Sequence, residues 1–312
     1  MERLLSNEDK LKDFYLALED RFRGSKKEIK KRLSLYLPLV EMIENYFDNA
    51  KIIDIGCGRG EWLELLGKNK IKVTGIDSNC YEDLKKKYEV IEDDALIYLK
   101  NLPSNSIHLI SAYHFIEHIN EQEQVIFMIE AHRVLSPGGI MIIETPNVDN
   151  LTVSSSTFYL DPTHNKPVVS DYLNFLADFS GFKNSKTILL GESNIDNPNL
   201  WDIFSKVSRD FSIICQKDGD QKILKLFKSV KLPINGSSMM SITDKYEKAN
   251  HNRFNSHLNK INSHVTKINQ NLSTLNERSN YYQVEIDYLK RLLMPIIKIS
   301  IMIQKIKKIF NK

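Results

Sequence analysis

Lys51-Ile52-Ile53-Asp54-Ile55-Gly56-Cys57-Gly58-Arg59-Gly60 constrains what this 312-residue chain can fold into more than any other stretch. A short β-branched apolar run carrying Asp54 passes into glycines at alternate positions, and the helix-compatible Glu61-Trp62-Leu63-Glu64-Leu65-Leu66 follows. A buried parallel strand that turns sharply into a helix is the architecture that holds a nucleotide-like ligand at the strand's carboxyl end. Glycine permits φ > 0 in the turn and lets a ligand approach the backbone. The spacing is Gly-x-Gly-x-Gly, and Glu61 stands where a dinucleotide fingerprint needs its third Gly or Ala. This argues against a nicotinamide dinucleotide.

The segments that follow extend the pattern. Residues 71–77 read as a second strand ending in Asp77, and a carboxylate about 20 residues past the first glycine is placed to accept both hydroxyls of a ribose. Residues 88–95 read as a third strand closing in Asp94-Ala95, residues 106–113 as a fourth, and residues 135–143 as a turn and a fifth. Taken in order, residues 50–217 resemble the class I S-adenosylmethionine (SAM)-dependent methyltransferases. The resemblance implies an α/β, doubly wound, Rossmann-like sheet of seven strands with SAM as cofactor. It places Asp54 near the methionine moiety, Asp77 on the ribose, and Asp94 with Ala95 against the adenine. Gly56, Cys57, Gly58, Gly60, Ser78 and Tyr113 complete the implied SAM site. A helix is expected over 171–181, then antiparallel strands near 186–191 and 211–217.

Cys57, Cys80 and Cys215 are odd in number and widely spread, so no disulfide framework is implied. The first ten residues have no signal-peptide core, and no uncharged apolar run reaches the roughly 18 residues a spanning helix needs. The expected compartment is cytoplasmic. Formal net charge is only +3, but residues 241–312 hold 13 Lys/Arg against 5 Asp/Glu, leaving the rest acidic. A basic tail on an acidic body suggests an anionic partner. The body has no basic stripe with interleaved aromatics, which argues against nucleic acid.

In that tail Phe254, Leu258, Ile261, Val265, Ile268, Leu272, Leu275, Tyr282, Ile286, Leu289 and Leu293 alternate spacings of four and three, broken only at Ser279. Such a heptad seam predicts a coiled coil and a homo-oligomer; the alternative is a long helix folded back onto the body. Beyond Pro295, Ile296, Ile299, Ile303, Ile306 and Phe310 share a helical face, with Lys298, Lys305, Lys307, Lys308 and Lys312 supplying charge. This basic amphipathic pattern suits the interface of an anionic membrane; a coiled-coil terminus or a partner-binding helix are the alternatives. The expected domains are a catalytic body over 1–218, a linker over 219–240 with a short helix at 222–230, a coiled coil over 241–294 and a terminal helix over 295–312.

Near the N-terminus, residues 13–22 are helix-compatible and lead into Arg21-Phe22-Arg23-Gly24-Ser25, then a charged helix over 26–37 stopped by Pro38. Arginines beside a Gly-Ser turn can grip a carboxylate or phosphate through bidentate contacts, which makes Arg23 a candidate for the SAM carboxylate; the alternative is a solvated turn. The Glu-Asp-Arg-Phe-Arg-Gly-Ser run, the glycine motif and the trailing heptads together resemble a narrower group, the bacterial O-antigen chain-terminating methyltransferases. This implies a glycan or lipid-linked saccharide acceptor, a glycosyltransferase partner, and residence on the cytoplasmic face of the inner membrane.

His114-Phe115-Ile116-Glu117-His118 matches the His-x-x-Glu-His pattern of inverted zinc peptidases, but it directly follows the fourth strand rather than lying on a helix face. Pocket lining, proton handling and helix capping are the roles open to His114 and His118. After the fifth strand comes Phe158-Tyr159-Leu160-Asp161-Pro162-Thr163-His164, resembling a loop over the acceptor side of small-molecule and sugar methyltransferases. A sugar hydroxyl must lose a proton, and a histidine near neutral pKa is the ordinary base. His164 is the first candidate, with Asp161 orienting it or binding a hydroxyl and His118 in support. Asp161 and His164 alone are too few ligands to assign a metal.

Overall fold

The computed structural model describes Phe14, Ala17, Leu18, Arg21 and residues 24–310 apart from 192–194 and 234–235, with backbone alone for 306–310. The elements run α1 (Lys26–Leu33), α2 (Leu37–Tyr46), β1 (Ile52–Ile55), α3 (Glu61–Lys68), β2 (Thr74–Asp77), α4 (Glu82–Lys85), β3 (Glu89–Glu92) and α5 (Ala95–Asn101). They continue with β4 (Ile107–Tyr113), α6 (Glu121–Val134), β5 (Leu135–Pro146), α7 (Leu151–Ser155), α8 (Ser170–Phe179), β6 (Asn184–Leu190), α9 (Leu200–Ser205), β7 (Asp210–Gln216), α10 (Gln221–Ser229) and α11 (Met239–Phe310).

β1 is apolar on both faces because it is covered on both. Ile52 belongs to one core, with Ile29 and Leu33 of α1, Val40 and Ile43 of α2, Leu63 and Leu66 of α3, and Ile223 and Phe227 of α10. Ile53 and Ile55 belong to the other, with Leu99 of α5, Phe127 and Met128 of α6, and Leu173 and Leu176 of α8. The single seven-stranded sheet has the order β3-β2-β1-β4-β5-β7-β6. β1 to β5 pair in parallel, whereas β7 is antiparallel to both β5 and β6. The chain winds outward from β1 to β3 and then returns to β4, so a crevice opens between β1 and β4 at their carboxyl ends. The strands and helix expected after β5 appear as β6, β7 and α8, within a few residues of their expected bounds.

Two local readings change. The helix expected over 26–37 ends at Leu33, a 3-10 turn spans Ser34–Tyr36, and α2 then starts at Leu37. Pro38 sits in the first turn of α2, where its missing N–H breaks no helical bond, so it begins a helix instead of stopping one. The short helix expected at 222–230 is α10, whose Ile223, Leu224 and Phe227 are buried and whose first turn is capped by Asp220. Residues 1–246 form one compact unit and 247–312 a second.

All the described residues of the second unit are helical. α11 runs unbroken for 72 residues through Pro295. The eleven apolar seam residues are exposed by 42–64%. No described helix is long and apolar enough to cross a membrane.

Gly60 joins the glycine turn to α3 with φ +77°, and a Cβ there would collide with the Leu84 side chain of α4. Both the left-handed backbone and the contact oppose any larger residue. Gly60→Ala should therefore destabilise the first unit by roughly 1–3 kcal/mol. An unshifted denaturation midpoint would contradict this.

Candidate active site

The crevice is a cavity of about 740 Å³, within the range of small-molecule sites. Its floor is built from backbone. Gly56 N–H donates to Ile76 O at 2.8 Å, which ties the turn after β1 to β2. Gly58 N–H donates to Asp77 Oδ2 and Asn79 N–H to Asp77 Oδ1, both at 2.8 Å. The carboxylate at the end of β2 is thus aimed by two fixed donors and keeps further lone pairs for a ligand. A Cβ on Gly56 would stand 3.1 Å from the Phe115 ring, so the narrow floor admits only glycine. Asp94 caps α5 with Oδ1, accepting from Leu96 and Ile97 N–H at 2.9 Å.

Gly56, Gly58, Asp77, Ser78, Asp94 and Ala95 line this cavity. Asp54, Cys57, Gly60 and Tyr113 do not, and each supports the wall instead. Asp54 is 2% exposed and accepts from Ser111 Oγ at 2.7 Å. The Cys57 thiol packs behind the turn so closely that a Cβ on Gly75 would lie 2.8 Å from its Sγ; burial pushes its pKa well up. Tyr113 packs 5.4 Å from the rings of both Tyr36 and Trp62. Arg23 lies outside the described residues. Neighbouring Gly24 lines the cavity, and its carbonyl accepts from Arg59 Nη2 at 3.2 Å. Arg59 in turn pairs with buried Glu61 at 2.8 Å, so the residue that replaces a dinucleotide glycine fastens the N-terminal segment to the turn.

The other half of the cavity is built from side chains. His118, Asp161, Thr163, His164 and Arg209 line it. His118 closes a 3-10 turn, Ile116–His118, directly after β4. His164 Nδ1 donates to the Phe158 carbonyl at 2.6 Å. Asp161 therefore does not orient His164 as expected from sequence: its Oδ1 accepts from Thr163 N–H at 2.8 Å and Thr163 Oγ1 at 2.6 Å. A carboxylate two residues before a hydroxyl folds naturally onto that residue's own backbone. Through Thr163 Oγ1, 2.9 Å from His118 Nδ1, Asp161 orients His118. Burial opposes ionisation of Asp161, but the Thr163 hydrogen bonds outweigh it and hold the pKa below its ordinary value. Burial lowers the His118 pKa.

Between the halves lies a buried charge network. Glu144, at 0% exposure near the end of β5, meets Arg32 at 3.0 Å and accepts from Tyr36 OH at 2.8 Å. Arg32 also pairs with Asp210 at 3.0 Å. His114 Nδ1 meets Glu117 at 3.1 Å, and its Nε2 faces Glu144 at 3.5 Å. Burial pushes Glu144 up, but the Arg32 charge and the His114 hydrogen bond overcome this and lower its pKa to about 2. Burial alone would lower His114; hydrogen bonds to Glu117 and Glu144 reverse that and raise it to about 9. His114 holds φ +53°, a conformation few residues adopt, and its N–H donates to Glu144 O at 2.7 Å.

The sequence profile of the methyltransferase-domain family matches residues 18–186, more than half of the chain. The chain belongs to this SAM-dependent methyltransferase family. A probable SAM-dependent methyltransferase of Mycolicibacterium smegmatis is 28% identical over 141 residues, 44% of this chain and 53% of that protein. The mitochondrial ubiquinone biosynthesis O-methyltransferase of the rat is 31% identical over 114 residues, 33% of this chain and 32% of that one. The chain thus spans about half the length of the first and a third of the second. The crystal structure of a SAM-dependent methyltransferase from Archaeoglobus fulgidus superposes on 65% of this chain and all of its own, with 29% identity and a TM-score of 0.54. The glycine-cradled floor and the aimed Asp77 carboxylate fit SAM, the family's cofactor.

Arg32, Tyr36 and Asp210 of the methyltransferase escape a reading of sequence, because each stands in an ordinary helical turn or strand; Arg32 and Tyr36 meet Glu144, and Asp210 meets Arg32, only across the fold. His114 supplies the test. Its folded pKa of about 9 exceeds the ordinary 6.5. The stability it contributes is therefore complete below pH 6.5 and lost as pH rises through about 9. Between pH 6.5 and 9 the melting temperature should fall more steeply for the native protein than for His114→Asn, whose side chain tolerates positive φ. Parallel profiles would rule out this coupling.

Proposed function

We propose that this methyltransferase moves the methyl group of SAM to an oxygen, a sugar hydroxyl or phosphate, of a bacterial surface polysaccharide or its lipid-linked precursor, an event that can terminate chain growth. The observation that carries the reading is one cavity with two chemically different halves. Glycine backbone and the Asp77 and Asp94 carboxylates line one end, as a ribonucleoside requires; imidazoles, Asp161 and Arg209 gather at the other. SAM supplies an activated methyl on a sulfonium. The protein's part is to bring the acceptor oxygen in line about 3 Å from that carbon and to accept the hydroxyl's proton. His118 and His164 stand where that proton would leave, and Arg209 suits an anionic acceptor. The resemblance of the Glu-Asp-Arg-Phe-Arg-Gly-Ser run, the glycine motif and the trailing heptads to O-antigen enzymes supports the saccharide class. Quinone-type acceptors, as for the rat relative, are the competing outcome.

Asp77 tests the donor half. Removing its carboxylate leaves two ribose hydroxyls unpaired, a loss of about 1.5–3 kcal/mol. Calorimetry on Asp77→Ala should show SAM binding weakened at least ~10-fold, and cells carrying only that variant should lose methyl from their surface glycan by mass analysis. Unchanged SAM affinity in the folded variant would reject the assignment. Intact glycan methylation would reject the acceptor class alone.

For the second unit we propose a parallel homo-oligomer whose distal ends rest on the cytoplasmic membrane face, beside a glycosyltransferase. The exposed seam of α11 supports association, since so narrow an apolar stripe gains little alone in water. Ile296, Ile299 and Ile303 with Lys298 and Lys305 support attachment, each lysine near an anionic surface contributing about 1 kcal/mol and each copy adding avidity. Truncation after Leu293 should release the protein from anionic liposomes yet keep its oligomeric state. Truncation after Tyr246 should give monomers that bind SAM. A monomeric full-length protein in light scattering would overturn association; continued liposome binding by the first truncation would overturn attachment.

A further inference from the structure

Both imidazoles at the acceptor end are locked in one tautomer. Phe158 offers a carbonyl oxygen, which only accepts, so His164 Nδ1 carries the hydrogen in that 2.6 Å contact. Thr163 Oγ1 gives its proton to Asp161 Oδ1 at 2.6 Å, so it accepts from His118 Nδ1 at 2.9 Å. Each ring is left with Nε2 and a lone pair. The rings stand edge to face with centroids 4.7 Å apart. One ligand atom from each of His118, His164 and Glu117 falls within 4.8 Å of the other two. Glu117 is fully buried and braced from behind, with Thr145 Oγ1 donating to Oε2 at 2.9 Å and His114 meeting Oε1 at 3.1 Å.

A single proton acceptor needs one imidazole. Two imidazoles, each donating Nδ1–H to a fixed oxygen and backed by an anchored carboxylate, form the support that metal-ligating histidines require. We propose that His118 Nε2, His164 Nε2 and the Glu117 carboxylate hold a divalent transition metal at the acceptor end, with open positions for a substrate hydroxyl. Two nitrogens and one oxygen suit zinc, manganese, iron(II) or cobalt rather than calcium or magnesium. The similar convergence of His114, Glu144 and Asp210 takes no metal, because Arg32 already supplies its positive charge. The site uses Glu117 and His118 of the His-x-x-Glu-His run without His114, so it is unlike a peptidase centre.

The inference rests on the methyl-transfer reading and replaces a free imidazole base with a Lewis acid. A hydroxyl bound to the metal has its pKa lowered and releases its proton to bulk water. The resulting alkoxide forms the O–C bond as the S–C bond breaks, and that bond's electron pair remains on sulfur as a thioether. Asp161 and Thr163 are positioning residues for His118.

The test takes full-length protein stripped by chelator and titrates it with cobalt(II) alone, followed by visible absorption and calorimetry. Cobalt should bind with d–d bands. His118→Ala and His164→Ala should each weaken it at least ~10-fold, and Thr163→Val, which removes the hydroxyl linking Asp161 to His118 Nδ1 and no proposed ligand, roughly 10–100-fold. SAM affinity should stay unchanged in all three, since they leave the donor half intact. The stripped protein should lose methyl transfer and recover it with added metal. Absence of cobalt binding, cobalt affinity untouched in all three variants, or full turnover by stripped protein would overturn the metal while leaving methyl transfer standing. Cobalt binding without SAM binding would uphold the site and overturn the methyl-transfer reading.

Discussion

A carboxylate without solvent at the end of β5 organises this molecule. Glu144 would be prohibitively costly as an isolated ion, and its partners converge from α1, the following 3-10 turn, and the residue after β4. Buried pairs of this kind add little net stability against an apolar alternative, yet losing one partner costs about 3–5 kcal/mol because the other charge is left uncompensated. The network is therefore better understood as fixing geometry. It seats α1 against the carboxyl ends of the strands, so that Gly24 and Arg32 become cavity wall. It also explains how His114 persists at positive φ, with its ring and its N–H both engaged.

The cavity joins two kinds of rigidity. On the donor side, backbone N–H groups and glycines do the positioning, and their place is set by sheet register. On the acceptor side, positioning comes from short side chains: Asp161 holds Thr163, Thr163 holds His118, and the Phe158 carbonyl holds His164. The backbone-built half suits a cofactor common to a family, and the side-chain-built half is where substrate choice and proton chemistry can vary without disturbing the sheet. Relatives of the chain include both O- and C-methyltransferases.

The second unit follows different physics. α11 has no core of its own beyond its first turns, where Ile242 and Ala249 are buried. From Phe254 onward the apolar seam is exposed, and the intervening Asn, Ser, Lys and Glu keep the rest of the surface polar. The helix continues through Pro295. The proposed association and attachment depend on what meets the seam.

The sheet was legible because its signal is local. Two-sided burial of β1 demands consecutive apolar residues, the turn demands glycines, and Asp77 and Asp94 each close a recognisable strand. The long C-terminal helix was legible for the same reason, since its period of three and four needs no partner to be seen. What sequence did not show was which members of the motif line the cavity: Gly56 and Gly58 do, whereas Asp54, Cys57, Gly60 and Tyr113 stand behind them in the wall. Pro38 was misread because a proline opens a helix as readily as it ends one, and the difference lies in Leu33 and Tyr36 entering the core. Sequence paired Asp161 with His164, but the threonine between them captures the carboxylate and the Phe158 carbonyl takes the imidazole. The charge network and the union of Glu117, His118 and His164 were decided by tertiary structure alone. They join residues up to 178 positions apart, as Arg32 and Asp210 are, and such contacts exist only once the strands have brought their ends together.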